Sequence, residues 1–141
     1  MTSRHCGYAA LLSVLLASTS VSASSLPDCP QSPNCVSSQA SDEAHRVAPL
    51  AAGSNVAESA AMLTAVLDSL PRVAWTASAD NVIEATFKTR IMRFTDDVLF
   101  HIDDDGMIQV RSASRVGYSD LGANRSRVEM LREKLAAPSK P

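Results

Sequence analysis

An alternating apolar pattern near residue 100 constrains the fold more than any other feature of the sequence. Val98, Phe100 and Ile102 share one face of a predicted strand, and Ile108 and Val110 share one face of the next. A one-residue slip would turn every side chain to the other face, so both apolar sets reach the core only if Ile102 lies opposite Ile108. The sequence therefore predicts an antiparallel hairpin with one register.

This register leaves Asp104, Asp105 and Gly106 as the hairpin turn. A type I turn closed by a left-handed glycine has this length. A calcium loop would need acidic ligands at alternate positions, but residue 101 is His and no Glu follows at the required distance. We therefore expect a turn and no bound metal.

The same register places Asp97 on the outer face of the hairpin, opposite Ala113. Arg111 and Arg115 are then its diagonal neighbours, within reach of long side chains. We expect Asp97 to be held between both guanidinium groups as a structural ion pair.

On the inner face, the register pairs Asp96 with Ser114 and Val98 with Ser112. Small hydroxyl side chains at inward positions indicate that another backbone approaches closely there. The last helix and the N-terminal segment are the two candidates.

Helical patterns lie on either side of the strands. Asn55 and Glu58 fit a capping box at the start of the first helix. The second is predicted from about Asp120 to Ala136, with Ser119 or Asp120 as its cap. With three to four antiparallel strands between them, the chain is predicted to be an α+β two-layer sandwich with two helices on one sheet face.

The first 23 residues have the features of a secretory signal peptide. Arg4 precedes an apolar run over residues 8–16, and small residues follow up to Ala23. Crossing a bilayer takes about 18 apolar residues, about twice this run, so a cleaved signal is favoured over an uncleaved anchor. We expect a periplasmic or secreted product, cleaved near Ala23, with no transmembrane segment in the mature chain.

The mature chain would carry 12 basic and 15 acidic residues, a net charge of −3. Non-specific binding to nucleic acid or to an anionic membrane depends on a basic surplus. The composition therefore disfavours both, and we expect no nucleic-acid partner.

Cys29 and Cys35 are the two cysteines of the predicted mature chain. An exported protein is expected to oxidise such a pair, and closing this short loop stabilises by about 2 kcal/mol. A redox pair or a metal site is a less favoured alternative, because the spacing is not Cys-x-x-Cys and the loop contains no histidine. The predicted organisation is a signal peptide (1–23), a disulfide-closed N-terminal arm (24–54), an α+β domain (55–137) and a tail (138–141).

Residues 111–125 bring many hydrogen-bonding groups to the junction of the last strand and the last helix. Free amides at the helix start, with Arg115 or Arg125, would suit a phosphate, sulfate or carboxylate. The alternative is a polar cluster that holds the helix to the sheet, in which buried arginines must be fully paired. The candidate ligand-binding residues are Arg111, Ser112, Ser114, Arg115, Ser119, Asp120 and Asn124.

Catalysis is the least favoured class of function. The sequence has no Gly-x-Ser-x-Gly elbow, no histidine pair of the metal-binding kind and no nucleophile with an evident base. Asp96 and Asp97 are adjacent on a strand, so their side chains point to opposite faces and do not form an acid/base pair. We predict no catalytic residue and no cofactor.

Three segments resemble the family called domain of unknown function 1499. They are Cys29-Pro-x-Ser-Pro-Asn-Cys-Val-Ser-Ser, Phe94-x-Asp-Asp-Val and Arg111-Ser-x-Ser-Arg-x-Gly-x-Ser-Asp-Leu-Gly-x-Asn. The likeness covers about residues 29–135 and implies a small exported or membrane-linked envelope domain, with no assigned activity.

The predicted function is therefore that of a small exported, non-catalytic envelope domain that acts as a structural or protein-interaction module, with an unknown envelope protein as its partner. A binding protein for a small anionic ligand at residues 111–125 is the first alternative, and an enzyme of unknown class is the second.

Overall fold

The structure is a computed structural model that describes residues 26–137. The predicted signal peptide and the tail at 138–141 lie outside the described residues. The elements in chain order are β1 (Cys35–Ser37), α1 (Val56–Asp68), β2 (Val73–Ala79), β3 (Val82–Lys88), β4 (Thr95–Ile102), β5 (Ile108–Ser114) and α2 (Ala123–Ala136). The α+β prediction is confirmed.

The sheet has five antiparallel strands in the order β1-β5-β4-β3-β2, so the prediction of three to four strands was wrong. The additional strand, β1, comes from the segment predicted to be a disulfide-closed arm. A strand of three residues is too short to show the alternation by which strands are recognised. Leu50 adds to the pairing of the N-terminal segment with β5, because it exchanges two backbone hydrogen bonds with Ile108, both 2.9 Å long.

The β4–β5 hairpin has the predicted register, with Ile102 opposite Ile108 and Asp97 opposite Ala113. Its turn contains Gly106 in the left-handed region, with φ of 85°. A Cβ at this position would lie 2.4 Å from the carbonyl oxygen of Gly53, so only glycine fits against the segment that leads into α1.

Both helices contribute to one core against the inward residues of the sheet, and this side is called the covered face. The other side, which carries Asp97, Leu99 and Arg111, is called the open face. The covered face alternates buried apolar residues along β3, β4 and β5, which is the pattern of a sheet packed on one side. The core residues of the helices are Leu63, Leu67, Val128, Leu131 and Leu135.

The helix starts differ in detail from the capping predictions. The Asn55 side chain accepts a hydrogen bond from the Glu58 amide (3.0 Å), as a capping box requires, but the Glu58 carboxylate accepts from Ser54 rather than from Asn55. Helix α2 begins at Ala123, three residues later than predicted, because the Asp120 carboxylate accepts hydrogen bonds from the amides of Gly122 (2.9 Å) and Asn124 (2.7 Å) and forms a turn instead.

Cys29 and Cys35 form the predicted disulfide. Cys35 lies opposite Ala113, on the open face, so the disulfide closes a loop beside β5 at this side of the sheet.

Candidate functional site

A buried polar cluster joins β4, β5 and α2. Arg127 donates to the carboxylate of Asp96, to the hydroxyl of Ser112 (2.9 Å) and to the side-chain oxygen of Asn124 (2.6 Å). Ser112 also donates to that oxygen (2.6 Å). Asp96, Ser112, Ser114, Asn124 and Arg127 are called the polar cluster below.

Asn124 connects the cluster to the N-terminal segment. Its amide nitrogen lies 3.0 Å from the carbonyl oxygen of Asn34, 2.9 Å from the hydroxyl of Ser114 and 2.7 Å from the carboxylate of Asp120. The Asn34 side chain in turn donates to the carbonyl of Gly117 (2.5 Å). One side chain therefore ties the sheet, the helix and the disulfide loop together.

The ion pair at the centre of the cluster is removed from water. The side chains of Asp96 and Arg127 are 3 % and 9 % exposed, and the guanidinium carbon lies 4.9 Å from the centroid of the Phe87 ring. A buried pair is tolerated only when its remaining hydrogen-bonding groups are satisfied. Here Ser112 and Asn124 accept hydrogen bonds from Arg127. The arrangement is that of a structural cluster.

The ion pair on the open face is different. Arg115 donates two hydrogen bonds to Asp97, both 2.8 Å long, and these side chains are 54 % and 49 % exposed. The hydrogen bond to Asp97 and its charge raise the pKa of Arg115.

Asp97 was predicted to be held by both Arg111 and Arg115, but it forms an ion pair with Arg115 alone among the described residues. In the described part of the chain Arg111 forms no ion pair with Asp97; its guanidinium donates to the backbone carbonyl of Asp28 (3.2 Å). Burial lowers the pKa of Arg111, and the charges of Asp97 and Asp28 oppose this effect. The N-terminal segment lies beside β5 and offers Arg111 a nearer acceptor, which the hairpin pattern alone does not reveal.

The helix start predicted to receive an anion is occupied by Asp120. Burial raises the pKa of this carboxyl, but the hydrogen bonds from Asn124 and Gly122 outweigh burial and the pKa is lowered overall. Ser119 accepts from the amide of Leu121 (3.2 Å), and Arg125 donates to the backbone carbonyls of residues 44 and 46. The amides and the arginine proposed for a ligand therefore have partners within the chain.

A cavity of about 280 Å³ adjoins this helix start. Two carboxylates, those of Asp96 and Asp120, line it together with Ser114 and Ser119, and no lysine or arginine does. Its lining does not suit an anion.

One member of the cluster, Arg127, and one residue that contacts it, Asn34, were missed in the sequence. A signal for Arg127 was present. Asp96 was expected on the inner face, where a carboxylate needs a cation, and Arg127 follows Asn124 by three residues, on the same side of a helix. Nothing in the sequence indicated Asn34, because its role depends on where the disulfide loop lies.

A second feature lies at one end of the sheet, where two loops expose large apolar side chains. Leu121 is 96 % exposed and Ile91 is 87 % exposed. The loops adjoin each other, because Phe94 and Val116 line the same cavity. This loop surface consists of Ile91, Met92 and Phe94 between β3 and β4, and of Val116, Tyr118 and Leu121 between β5 and α2.

The two ends of the sheet differ in charge: the end with the loop surface has exposed basic residues beside the carboxylate of Asp120, and the turns at the opposite end are acidic. Lys88, Arg90 and Arg93 adjoin the loop surface, and among residues 26–137 none of them forms an ion pair. The turns at the opposite end, which join β2 to β3 and β4 to β5, contain Asp80 and the acidic run 103–105.

Neither helix between residues 26 and 137 is long and apolar enough to cross a membrane, and no group of metal-binding side chains occurs in that range. The model of the family described as protein of unknown function (DUF1499) matches residues 25–135, and the chain belongs to this family. None of the curated proteins matches the sequence.

Proposed function

For a member of a family without an assigned activity, we propose the function of an exported, non-catalytic envelope domain that docks on an anionic membrane surface through its loop surface. The observation that carries the proposal is the group of six large apolar side chains exposed on two adjacent loops. Contiguous exposed apolar patches mark interaction sites.

The composition of the loop surface suits the interface of a bilayer. Leu121, Ile91 and Met92 are the kind of side chain that inserts below the headgroups, and Tyr118 combines an apolar ring with a polar tip. Arg93 and Leu121 have positive φ values of 53° and 52°, which residues other than glycine rarely adopt. Such backbone conformations concentrate at functional sites.

The charge beside the loop surface determines the class of membrane. Each lysine or arginine near an anionic leaflet contributes about 1 kcal/mol, and the attraction falls off within about 10 Å. Lys88, Arg90 and Arg93 would lie in that range of a docked surface, and the acidic turns would lie at the far end of the strands. The net charge of −3 is the sum over the whole predicted mature chain, so it does not describe the charge at the docked end.

The polar cluster and its neighbours hold the loop between β5 and α2 in place. Asn124 and Asp120 hold the start of α2, and Asn34 donates to Gly117 in the loop that carries Val116 and Tyr118. Because these polar groups have partners in the chain, a structural role accounts for them without a ligand. The signal-like residues 1–23 and the disulfide support export.

Vesicle sedimentation of the oxidised mature domain tests the proposal. We expect binding to vesicles that contain phosphatidylglycerol and little binding to pure phosphatidylcholine, with the bound fraction falling as salt is added. Ile91→Ser with Leu121→Ser, and separately Arg90→Gln with Arg93→Asn, should abolish most of it. Asp104→Asn, at the opposite end, is the matched control and should bind like the wild type.

A wild type that ignores phosphatidylglycerol vesicles at low salt would overturn membrane docking. Unchanged binding by both loop variants would overturn it as well. If vesicles fail but a photo-crosslinker at position 118 captures one envelope protein, the loop surface is a protein-binding site instead.

A further inference from the structure

The free edge of the sheet is unusually unprotected. β2 is an edge strand of seven residues, Val-Ala-Trp-Thr-Ala-Ser-Ala, and no strand in the described part of the chain pairs with its outer side. Natural proteins protect such edges with charged side chains, proline or very short strands, as the three-residue β1 does at the other edge. β2 contains neither a charge nor a proline.

The hydrogen bonds to β3 determine which backbone groups face outward. The amide of Lys88 donates to the carbonyl of Arg72 (3.1 Å), which makes these two residues a hydrogen-bonded pair. Such pairs alternate along an antiparallel ladder, so the N–H and C=O groups of Val73, Trp75 and Ala77 point to the free edge.

The charges at the two ends of β2 are complementary. Arg72 directly precedes the strand and Asp80 directly follows it. In an antiparallel pair of identical strands, the residue before one strand lies beside the residue after the other. We propose that two copies of this chain pair through antiparallel β2 strands about a two-fold axis at Thr76, which forms one sheet across both copies.

This register is favourable at each position. Trp75 lies opposite Ala77 of the second copy, and these two residues carry the outward-facing backbone groups, so the two symmetric pairs form four backbone hydrogen bonds. Arg72, whose Nε donates to the carbonyl of Lys88 within its own chain (3.3 Å), would exchange this contact for Asp80 of the second copy. The pairing of β2 with β3 shifts between Ala77 and Ala79, and the length of the arginine side chain spans this irregular step.

A groove between α1 and β2 adjoins the edge along which this register pairs the two copies. It has a volume of about 440 Å³, and Ala60, Ala61 and Thr64 of α1 face Ala77 across it. Trp75 of each copy also lines the groove of its own chain, where its indole nitrogen donates to Asp68 of α1 (2.8 Å). Directly opposite residues lie on the same face of a sheet, so Trp75 would meet Ala77 of the second copy at the seam between the two strands.

Dimer formation and membrane docking use different residues. Antiparallel pairing directs the loop surfaces of the two copies in opposite directions, away from the shared edge. Each proposal can therefore fail without the other.

Sedimentation velocity and light scattering of the oxidised mature domain test the dimer. We expect a concentration-dependent dimer in the wild type. Thr76→Lys and Thr76→Glu each place like charges face to face on the two-fold axis and should weaken dimerisation by at least about tenfold. An equal mixture of the two variants should restore it, because the unlike charges then face each other.

Charge reversal gives a second test of the register. Arg72→Asp alone should weaken the dimer, and Asp80→Arg added to the same chain should recover it. Circular dichroism of each variant confirms folding, and Leu121→Ser should dimerise like the wild type. A wild type that stays monomeric up to its solubility limit overturns the proposal, as does a dimer that Thr76→Lys leaves intact or a mixture that fails to pair.

Discussion

Asp96 and Asp97 are neighbours in β4, and each pairs with an arginine, but the two faces of the sheet give these ion pairs different roles. On the covered face, Asp96 and Arg127 are almost completely buried, and Arg127 also donates hydrogen bonds to Ser112 and Asn124. On the open face, Asp97 and Arg115 are about half exposed. An ion pair inside the protein has no water to replace a lost partner, whereas an exposed pair does. The identity of the residues therefore says less about their contribution than the face on which they lie.

Arg127→Ala should have the largest effect. It leaves the Asp96 carboxylate buried without a cation, which we expect to lower the free energy of unfolding by about 3–5 kcal/mol. Urea denaturation followed by circular dichroism measures this. Replacing both partners, Asp96→Asn with Arg127→Met, should recover part of the loss. An unchanged urea midpoint in Arg127→Ala would show that the covered face does not depend on this pair.

Asn124→Ala should have an intermediate effect. It removes the acceptor for Ser112 and Arg127 and the donor for the Asn34 carbonyl, and each buried polar group without a partner costs about 1–3 kcal/mol. Ser126→Ala, an exposed change two residues later in α2, is the control. If both variants melt at the same temperature, the cluster does not hold the helix to the sheet.

The Asp120 carboxyl should make the covered face sensitive to acid. Its pKa is lower in the folded chain than in the unfolded chain. Its contribution is therefore present above the unfolded value of about 3.9 and is lost as the pH falls through the folded value. The difference in unfolding free energy between the wild type and Asp120→Asn should shrink from pH 5 towards pH 2. A difference that stays constant over this range contradicts the assignment.

Arg115→Ala should have the smallest effect. Its partner Asp97 remains hydrated when the guanidinium is removed, so the melting temperature should stay close to that of the wild type. Differential scanning calorimetry of this variant beside Arg127→Ala compares the two faces directly. A loss for Arg115→Ala as large as that for Arg127→Ala would remove the distinction between them.

Structural features that depend on local periodicity were predicted from the sequence, whereas features that depend on contacts between distant segments were not. The register of β4 and β5 followed from apolar alternation, and the disulfide from two cysteines. β1 was missed because three residues carry no period. Arg127 was missed because its spacing from Asn124, although a signal, does not by itself show that α2 brings it to Asp96. The loop surface was missed because an apolar residue is exposed only where no other segment covers it.

The position of Asn34 links the redox state of the disulfide to the packing of α2 and β5. Asn34 immediately precedes Cys35, and its carbonyl accepts from Asn124 and from the amide of Ser114 (3.0 Å). Oxidation of the two thiols therefore restrains the Asn34 carbonyl, which accepts hydrogen bonds from both α2 and β5. In the reduced chain this loop is not closed, and we expect the Asn34 carbonyl to be held less firmly against α2 and β5. Faster hydrogen exchange at Ser114 after reduction with dithiothreitol would be the signature, and equal exchange in both redox states would argue against it.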